Sequence, residues 1–156
     1  MKVFIAWSGD DSQSVAIALR KWIKDVLPNV KTWTSDKAPI GADWHREIHE
    51  HITEARAGIL CVTRAGLKSD WLLFESGAIW ALMGAPLCYV IDRDITPDDF
   101  PDPLRRFQAA TADKRGTRNV LKSLNQRRKK HKLENKELKR RFDKHWPELE
   151  RELNRR

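Results

Sequence analysis

The sequence predicts an α/β fold, in which a parallel sheet of about five strands is flanked by helices and followed by a basic helical C-terminal extension. Three observations predict this fold. Apolar β-rich runs alternate with segments of helical period, the connections between them are short, and two of the runs are apolar throughout. Such alternation gives parallel strands joined by right-handed crossovers, and strands buried on both faces are continuously apolar.

Five strands are predicted along the chain. In chain order they are residues 2–7, 30–34, 58–63, 86–91 and 107–111, the last as a short edge strand. Each is bounded by glycine, proline or small polar residues, which favour turns and helix caps. The carboxyl ends of parallel strands meet at one edge of the sheet, so the loops that follow the first three strands should lie together there.

Helical periodicity fills the intervals between these strands. The first helix should start at Ser14, after a polar stop at residues 8–11, and end at Pro28. Asp43 is the predicted N-cap of the second helix, which should continue to about Ala55. The third helix should run from about Ser69 to Met83 and end at Gly84. The three predicted helices therefore span residues 14–27, 43–55 and 69–83.

The C-terminal part of the chain gives weaker signals. Residues 92–103 are acidic and rich in proline, which predicts a loop, and residues 117–124 should form a helix. Residues 138–153 keep an apolar spacing of three and four, and Pro147 should begin a new segment or bend the helix. We therefore expect one domain over residues 1–125 and a basic amphipathic extension over 126–156 that packs on the domain or on a partner.

Charge and cysteine content narrow the class of protein. The net charge of +8 is uneven: residues 113–156 hold 17 Lys/Arg and 7 Asp/Glu, a net of +10, so the preceding residues carry −2. Cys61 and Cys88 lie in apolar runs, which predicts buried free thiols of a reducing compartment, so we expect a cytoplasmic protein. No signal peptide or membrane span is recognisable. The basic tail could bind nucleic acid, although a solvated helical face is the favoured interpretation.

One carboxylate stands out in the apolar third helix. Glu75 shares a helical face with Trp71 and with apolar residues that should face the sheet. A carboxylate in such a position needs hydrogen bonds or a function. Trp71 stands one turn before it, and a flat π surface beside an anion suits a planar ring with positive charge.

Other common site chemistries find little support. His45 and His49 lie one helical turn apart, but no third ligand is apparent and Glu47 does not fit the zinc-protease spacing. Gly9 and Gly41, near the edge of the sheet where the carboxyl ends of the strands should meet, are isolated glycines. The sequence therefore shows no glycine-rich phosphate-binding loop. We also find no serine or cysteine nucleophile with a positioned histidine.

Three segments of the chain resemble, in the same order, the characteristic sequence segments of one protein family. Residues 2–10 resemble the first box of Toll/interleukin-1 receptor (TIR) domains of the bacterial type, a strand followed by a polar loop. Residues 33–41 resemble the second box with its BB loop, which begins here at Ser35 and ends at Gly41. Residues 70–75 resemble the Trp-x-x-x-Glu helix of NAD-cleaving members. The resemblance covers about residues 1–125.

This resemblance implies a flavodoxin-like fold (the TIR fold) and NAD⁺ glycohydrolase or cyclase activity. It implies Glu75 as the catalytic residue and NAD⁺ as a substrate, with no cofactor. The implied substrate-binding residues are Trp71, Trp7, Ser8, Gly9, Asp36 and Lys37. It further implies self-assembly through the BB loop, a function in bacterial antiphage signalling and a separate sensor protein. Two alternatives stay open, a TIR scaffold without catalysis and an enzyme related to nucleoside deoxyribosyltransferases.

Overall fold

Five parallel strands form one sheet in the order β2-β1-β3-β4-β5. The computed structural model describes residues 1–34 and 44–155, and only the backbone of residues 44 and 45. The strands are β1 (Lys2–Ala6), β2 (Lys31–Thr34), β3 (Ala57–Val62), β4 (Leu87–Val90) and β5 (Ala109–Thr111). This confirms the predicted parallel α/β sheet. The strand order reverses between β1 and β3, and ligands of such sheets bind beyond the carboxyl ends of the strands at that reversal.

Helices cover both faces of the sheet. They are α1 (Asp10–Val26), α2 (Trp44–Glu54), α3 (Asp70–Met83), α4 (Asp102–Arg105), α5 (Lys114–Gln126) and α6 (Asn135–Leu153). The core on one face is built with α1, α5 and α6, and the core on the other face with α2, α3 and α4. Alternate residues of each strand supply the two cores, as the period of a pleated strand requires.

The helix α3 packs directly on the sheet at Gly58. Ser69 caps its first turn by accepting a hydrogen bond from the Leu72 amide, and it ends at Gly84, whose φ is 80°. Gly58 of β3 makes room for Ile79, because a Cβ atom at position 58 would lie 2.6 Å from Ile79 Cγ2. The contact fixes α3 against β3, with its amino end toward the carboxyl edge of the sheet.

Two predictions need correction, and a third is not tested. The first helix starts at Asp10 and not at Ser14, because residues 10 and 11 are acidic and favour the amino end of a helix. The predicted loop over residues 92–103 contains the short α4 and a 3₁₀ turn, Pro97–Asp99, which a Thr96–Asp99 capping box stabilises. The predicted N-cap Asp43 lies outside the described residues.

The last helix belongs to the core of the domain. α6 continues through Pro147, although a new helical segment at this proline was one of the two predicted outcomes. The helix continues because apolar side chains on both sides of the proline pack against α1. The Trp22 and Phe142 rings meet edge to face at 5.8 Å, and Trp22 Nε1 donates to the His145 carbonyl at 2.9 Å. Among the described residues, no helix combines the length and apolar character that a membrane span needs.

Candidate functional site

The turn after β1 lies beside the start of α3, at the edge where the strand order reverses. Ala6 of β1 pairs with Leu60 of β3, so these strands end side by side. A Cβ atom at Gly66, just before α3, would lie 3.7 Å from the Ser8 carbonyl oxygen and 3.6 Å from Leu72 Cδ2. The structure therefore brings the predicted site residues Ser8 and Gly9 to the amino end of the helix that carries Glu75.

Ser12 holds this turn in place. Its hydroxyl oxygen accepts a hydrogen bond from the Ser8 amide at 3.0 Å, and the hydroxyl lies 2.6 Å and 2.9 Å from the carbonyl oxygens of Ser8 and Gly9. Gly9 has a φ of 87°, which residues with a side chain rarely adopt. The turn presents its own backbone to solvent, because Gly9 is exposed while Ser12 is buried.

Glu75 is the most buried carboxylate of the site. It is 1% exposed and lies on the sheet-facing side of α3 with Leu72 and Ile79. Burial raises the pKa of Glu75 from an ordinary 4.5 to about 8, because a charged carboxylate loses its hydration there. The Trp71 indole donates a hydrogen bond to the carboxyl group and opposes that rise, since Nε1–H is the only donor of a tryptophan side chain.

The two carboxyl oxygens of Glu75 differ in their contacts with the described residues. Oε2 is buried and makes no hydrogen bond with any described residue. A buried acceptor without a partner costs free energy on the order of 1–3 kcal/mol. Such a group is a strong functional candidate, because proteins rarely keep this cost without a use for it.

Trp71 connects the carboxylate to the surface. It is half-buried, and besides its hydrogen bond to Glu75 it packs against Phe74, with the ring centroids 5.3 Å apart. Phe74 itself is 62% exposed. The predicted pairing of Trp71 with Glu75 is thus present in the geometry, with an additional aromatic ring that sequence reasoning did not include.

The other predicted residues are placed differently. The Trp7 ring packs with the core beneath α1, on the face of the sheet opposite the α3 core, so it does not line a pocket with the Glu75 side chain. Its Nε1 is buried and has no partner among the described residues. Asp36, Lys37 and the rest of the BB loop, residues 35–41, lie outside the described residues. Their contribution to substrate binding stays a prediction.

Thr34 is a candidate functional residue that sequence reasoning missed. It ends β2, it is fully buried, and its hydroxyl has no hydrogen-bond partner within the described residues. Thr32, two residues earlier, donates to the Arg20 carbonyl of α1, so Thr34 lies on the same face as Trp7. A threonine in a strand gives no sequence signal of its own, because threonine is common in strands for packing reasons.

The histidine-rich helix α2 has a structural role at its end. His51 stacks on Trp33 at 4.2 Å and lies 2.6 Å from Lys2 Nζ, and burial, followed by Lys2, lowers its pKa. His49 is exposed.

In the described part of the chain one mixed group could supply metal ligands: Asp25, His145 and Glu148 bring one ligand atom each within 4.8 Å of one another.

The basic C-terminal region neutralises part of its charge internally. Glu137 pairs with Arg140 and Arg141 at 2.8 Å, and Asp143 pairs with Lys139 at 2.8 Å and Arg118 at 3.1 Å. Exposed pairs of this kind contribute little stability, but they reduce the positive potential of the helix. Nucleic-acid binding by this region stays a prediction.

Comparison with known proteins agrees with the fold. A search of curated proteins gives no significant match to the chain. The TIR domain family matches residues 3–125, which include four strands completely, all but the first residue of β1, and the helix that carries Glu75. The match covers well over half of the 156 residues. The chain therefore belongs to the TIR domain family.

Proposed function

We propose that this TIR domain cleaves the nicotinamide–ribose bond of NAD⁺, as a glycohydrolase or an ADP-ribosyl cyclase, with Glu75 as the catalytic carboxylate. The observation that carries the proposal is the burial of Glu75 at the sheet-facing side of α3, with one carboxyl oxygen unpartnered among the described residues. The resemblance of residues 70–75 to the Trp-x-x-x-Glu helix of NAD-cleaving members supports the same residue. A function in bacterial antiphage signalling, with a separate sensor protein, belongs to this proposal.

The reaction suits a site with a single carboxylate. When the bond between C1′ and the pyridinium nitrogen breaks, the bonding electrons go to nicotinamide, which leaves as a neutral molecule without a proton. Positive charge develops on the ribose, and a carboxylate can stabilise it or bind the ribose hydroxyls. One preorganised contact of this kind contributes about 3–4 kcal/mol, or about 10²–10³ in rate. Attack by water gives ADP-ribose, and attack within the molecule gives a cyclic isomer.

The raised pKa of Glu75 connects substrate binding to proton release. At pH 7 the free protein holds this group mainly in its neutral form, because its pKa is about 8. A pyridinium cation placed beside it favours the charged form and lowers the pKa, and the low dielectric of the site strengthens their attraction. NAD⁺ would therefore bind with release of a proton from Glu75 near neutral pH.

The remaining predicted residues complete the proposed site. Trp71 would bound the nicotinamide–ribose side, and the turn of Ser8 and Gly9 would offer backbone groups to the substrate. Asp36 and Lys37 stay in the proposal as substrate-binding residues, whereas Trp7 is left out because its ring packs on the opposite face of the sheet. Self-assembly through the BB loop stays as the means of completing the site. NAD⁺ is the substrate, and the proposed reaction uses no further cofactor.

Incubation of the concentrated protein with NAD⁺, with products resolved by chromatography, tests the proposal. We expect nicotinamide with ADP-ribose or a cyclic isomer from the wild type, and loss of at least about 100-fold in rate for Glu75→Gln. Glu150→Gln, the same change at an exposed glutamate of α6, is the matched control and should keep full activity. Full activity of folded Glu75→Gln would overturn the proposal, and cleavage of free nucleosides in place of NAD⁺ would favour the deoxyribosyltransferase alternative.

A TIR scaffold without catalysis is the second candidate function. The apolar outer face of α3, with Phe74, Trp80 and Leu82 exposed, is the observation that favours it, because such a face suits protein contacts. In a scaffold, Glu75→Gln would leave partner binding intact, whereas changes in the BB loop such as Pro39→His would disrupt it. A pull-down with both variants separates the two functions.

A further inference from the structure

A histidine and two carboxylates meet at the contact between α1 and α6. Asp25 of α1 and His145 and Glu148 of α6 each bring one potential ligand atom within 4.8 Å of the other two. The shortest of the separations that the structure defines joins His145 Nδ1 to Glu148 Oε2, at 3.7 Å. In the part of the chain that the structure describes, no other three histidine, cysteine or carboxylate side chains come together in this way.

The fold holds the backbone of this group in place. Trp22 Nε1 donates a hydrogen bond to the His145 carbonyl at 2.9 Å, which joins the two helices at this point. Asp25 follows Trp22 by three residues on α1, so it lies about one turn from that bond. Glu148 follows His145 by the same interval on α6. Because Trp22 is buried in the core between the helices, only the ends of the ligand side chains need to move.

The spacing of the three side chains suits a small metal ion. The ligand atoms of tetrahedral zinc lie roughly 3.3–3.6 Å apart, since its bonds to nitrogen and oxygen are about 2.0–2.2 Å long. The 3.7 Å between His145 and Glu148 is close to this spacing. Asp25 and Glu148 are exposed, so rotation of their side chains can close the remaining gaps. Both also line a cavity of about 530 Å³ between α1 and α6, which leaves room for water ligands.

Ion pairs do not account for these two carboxylates. Elsewhere on α6, Glu137 pairs with Arg140 at 2.8 Å, as exposed acidic residues of a basic helix normally do. Asp25 has no ion-pair partner among the described residues, and the partner of Glu148 there is the imidazole of His145. An imidazole nitrogen beside two carboxylate oxygens is a set of ligands that zinc accepts.

We propose that Asp25, His145 and Glu148 bind a zinc ion that links α6 to α1. Open zinc sites have three protein ligands and a water molecule in the fourth position, which agrees with the cavity beside this group. The ion would join α1, inside the part of the chain that matches the TIR family, to α6, which follows that part. The site lies on the α1 face of the sheet, opposite the core that contains α3, so the inference does not rest on the proposed function.

The charges around the site favour zinc over magnesium and calcium. Lys21 and Arg151 line the same cavity, and the Arg141 guanidinium donates to the Asp25 carbonyl at 3.4 Å. These cations repel every divalent ion. Magnesium and calcium need several oxygen ligands, whereas zinc also gains from direct coordination by an imidazole nitrogen. We therefore expect zinc to bind at least about 100-fold more tightly than magnesium or calcium.

The site should have a moderate affinity. It offers three protein ligands, and binding must order two exposed side chains, so we expect a dissociation constant for zinc on the order of 1–100 μM. Zinc that binds the folded protein stabilises it by mass action. Free zinc at 100 times the dissociation constant should increase the folding equilibrium constant about 100-fold and raise the melting temperature by several degrees.

Isothermal titration calorimetry with zinc chloride, on protein freed of metals with EDTA, is the test. His145→Gln and Asp25→Asn should each weaken zinc binding at least about 10-fold and remove most of the zinc-induced rise in melting temperature. His49→Gln, the same change at an exposed histidine of α2, is the matched control for the imidazole, and Glu150→Gln is the control for a carboxylate of α6. Both controls should bind zinc at the site as the wild type does.

The variants also separate this site from other zinc ligands of the chain. Circular dichroism without zinc checks that every variant is folded. A wild type with a dissociation constant above about 1 mM would overturn the inference, and so would zinc binding that His49→Gln removes and His145→Gln leaves unchanged. If His145→Gln loses binding while Asp25→Asn keeps it, the ion is held by α6 alone and the link between the helices is overturned. Equal affinity for magnesium would contradict the assignment to zinc.

Discussion

The buried carboxyl group of Glu75 predicts an unusual pH dependence of stability. The perturbation is Glu75→Gln, which keeps the shape of the side chain and removes the titrating group. In the folded protein the pKa is about 8, and in the unfolded chain we take the ordinary 4.5. Between these values the folded protein holds a proton that the unfolded chain has lost, so the free energy of unfolding falls as the pH rises.

The size of the effect follows from the pKa difference. Each pKa unit corresponds to about 1.4 kcal/mol, so the difference between 4.5 and 8 amounts to about 5 kcal/mol, with about 3 kcal/mol of it reached by pH 7. This is a large part of the 5–15 kcal/mol that stabilises a typical domain. The amide side chain of the Glu75→Gln variant is neutral at every pH, so the variant does not lose this free energy. The variant and the wild type should therefore be similar near pH 4.5 and diverge above it.

Urea denaturation at several pH values between 4.5 and 9 measures this divergence. We expect Glu75→Gln to exceed the wild type by about 5 kcal/mol in unfolding free energy at pH 9, while Glu150→Gln follows the wild type because solvent screens its exposed charge. All other titrating groups are shared by the two proteins and cancel in the difference. Parallel curves for Glu75→Gln and the wild type across this range would refute the reasoning.

Four further predictions concern single contacts. Trp71→Phe keeps a ring but removes the indole donor, so the pKa of Glu75 should rise further and the stability profile should shift to higher pH in the same urea experiment. Gly58→Ala should lower the free energy of unfolding by about 1–3 kcal/mol because its methyl group would meet Ile79, and Ile79→Ala in the same chain should recover part of it. Burial raises the pKa of the Cys88 thiol to about 12 and raises that of Cys61 as well, so a thiol reagent at pH 8 should label neither until urea unfolds the chain. Phe142→Ala should cost about 3–5 kcal/mol, since Phe142 of α6 is fully buried against Trp22 of α1, whereas Leu153→Ala at the half-buried end of α6 should cost much less.

The sequence was informative wherever a pattern is local. Continuous apolar runs located β3 and β4 within one or two residues, and Ser69 and Gly84 marked both ends of α3 because capping and termination depend on neighbouring residues. The start of α1 was missed because two aspartates were interpreted as part of a loop, although they also favour a helix terminus. α4 is a single turn, which is too short to show periodicity.

The site was predictable where its residues share one helix or directly follow the carboxyl end of a predicted strand. Trp71 and Glu75 lie one turn apart, so helical geometry alone places them together. Trp7 directly follows β1, and the direction of its ring depends on which face of the sheet its side chain continues. Both faces of β1 are buried, so the apolar pattern of the strand does not tell which helices cover which face. The unpartnered hydroxyl of Thr34 depends on tertiary contacts that no local pattern contains.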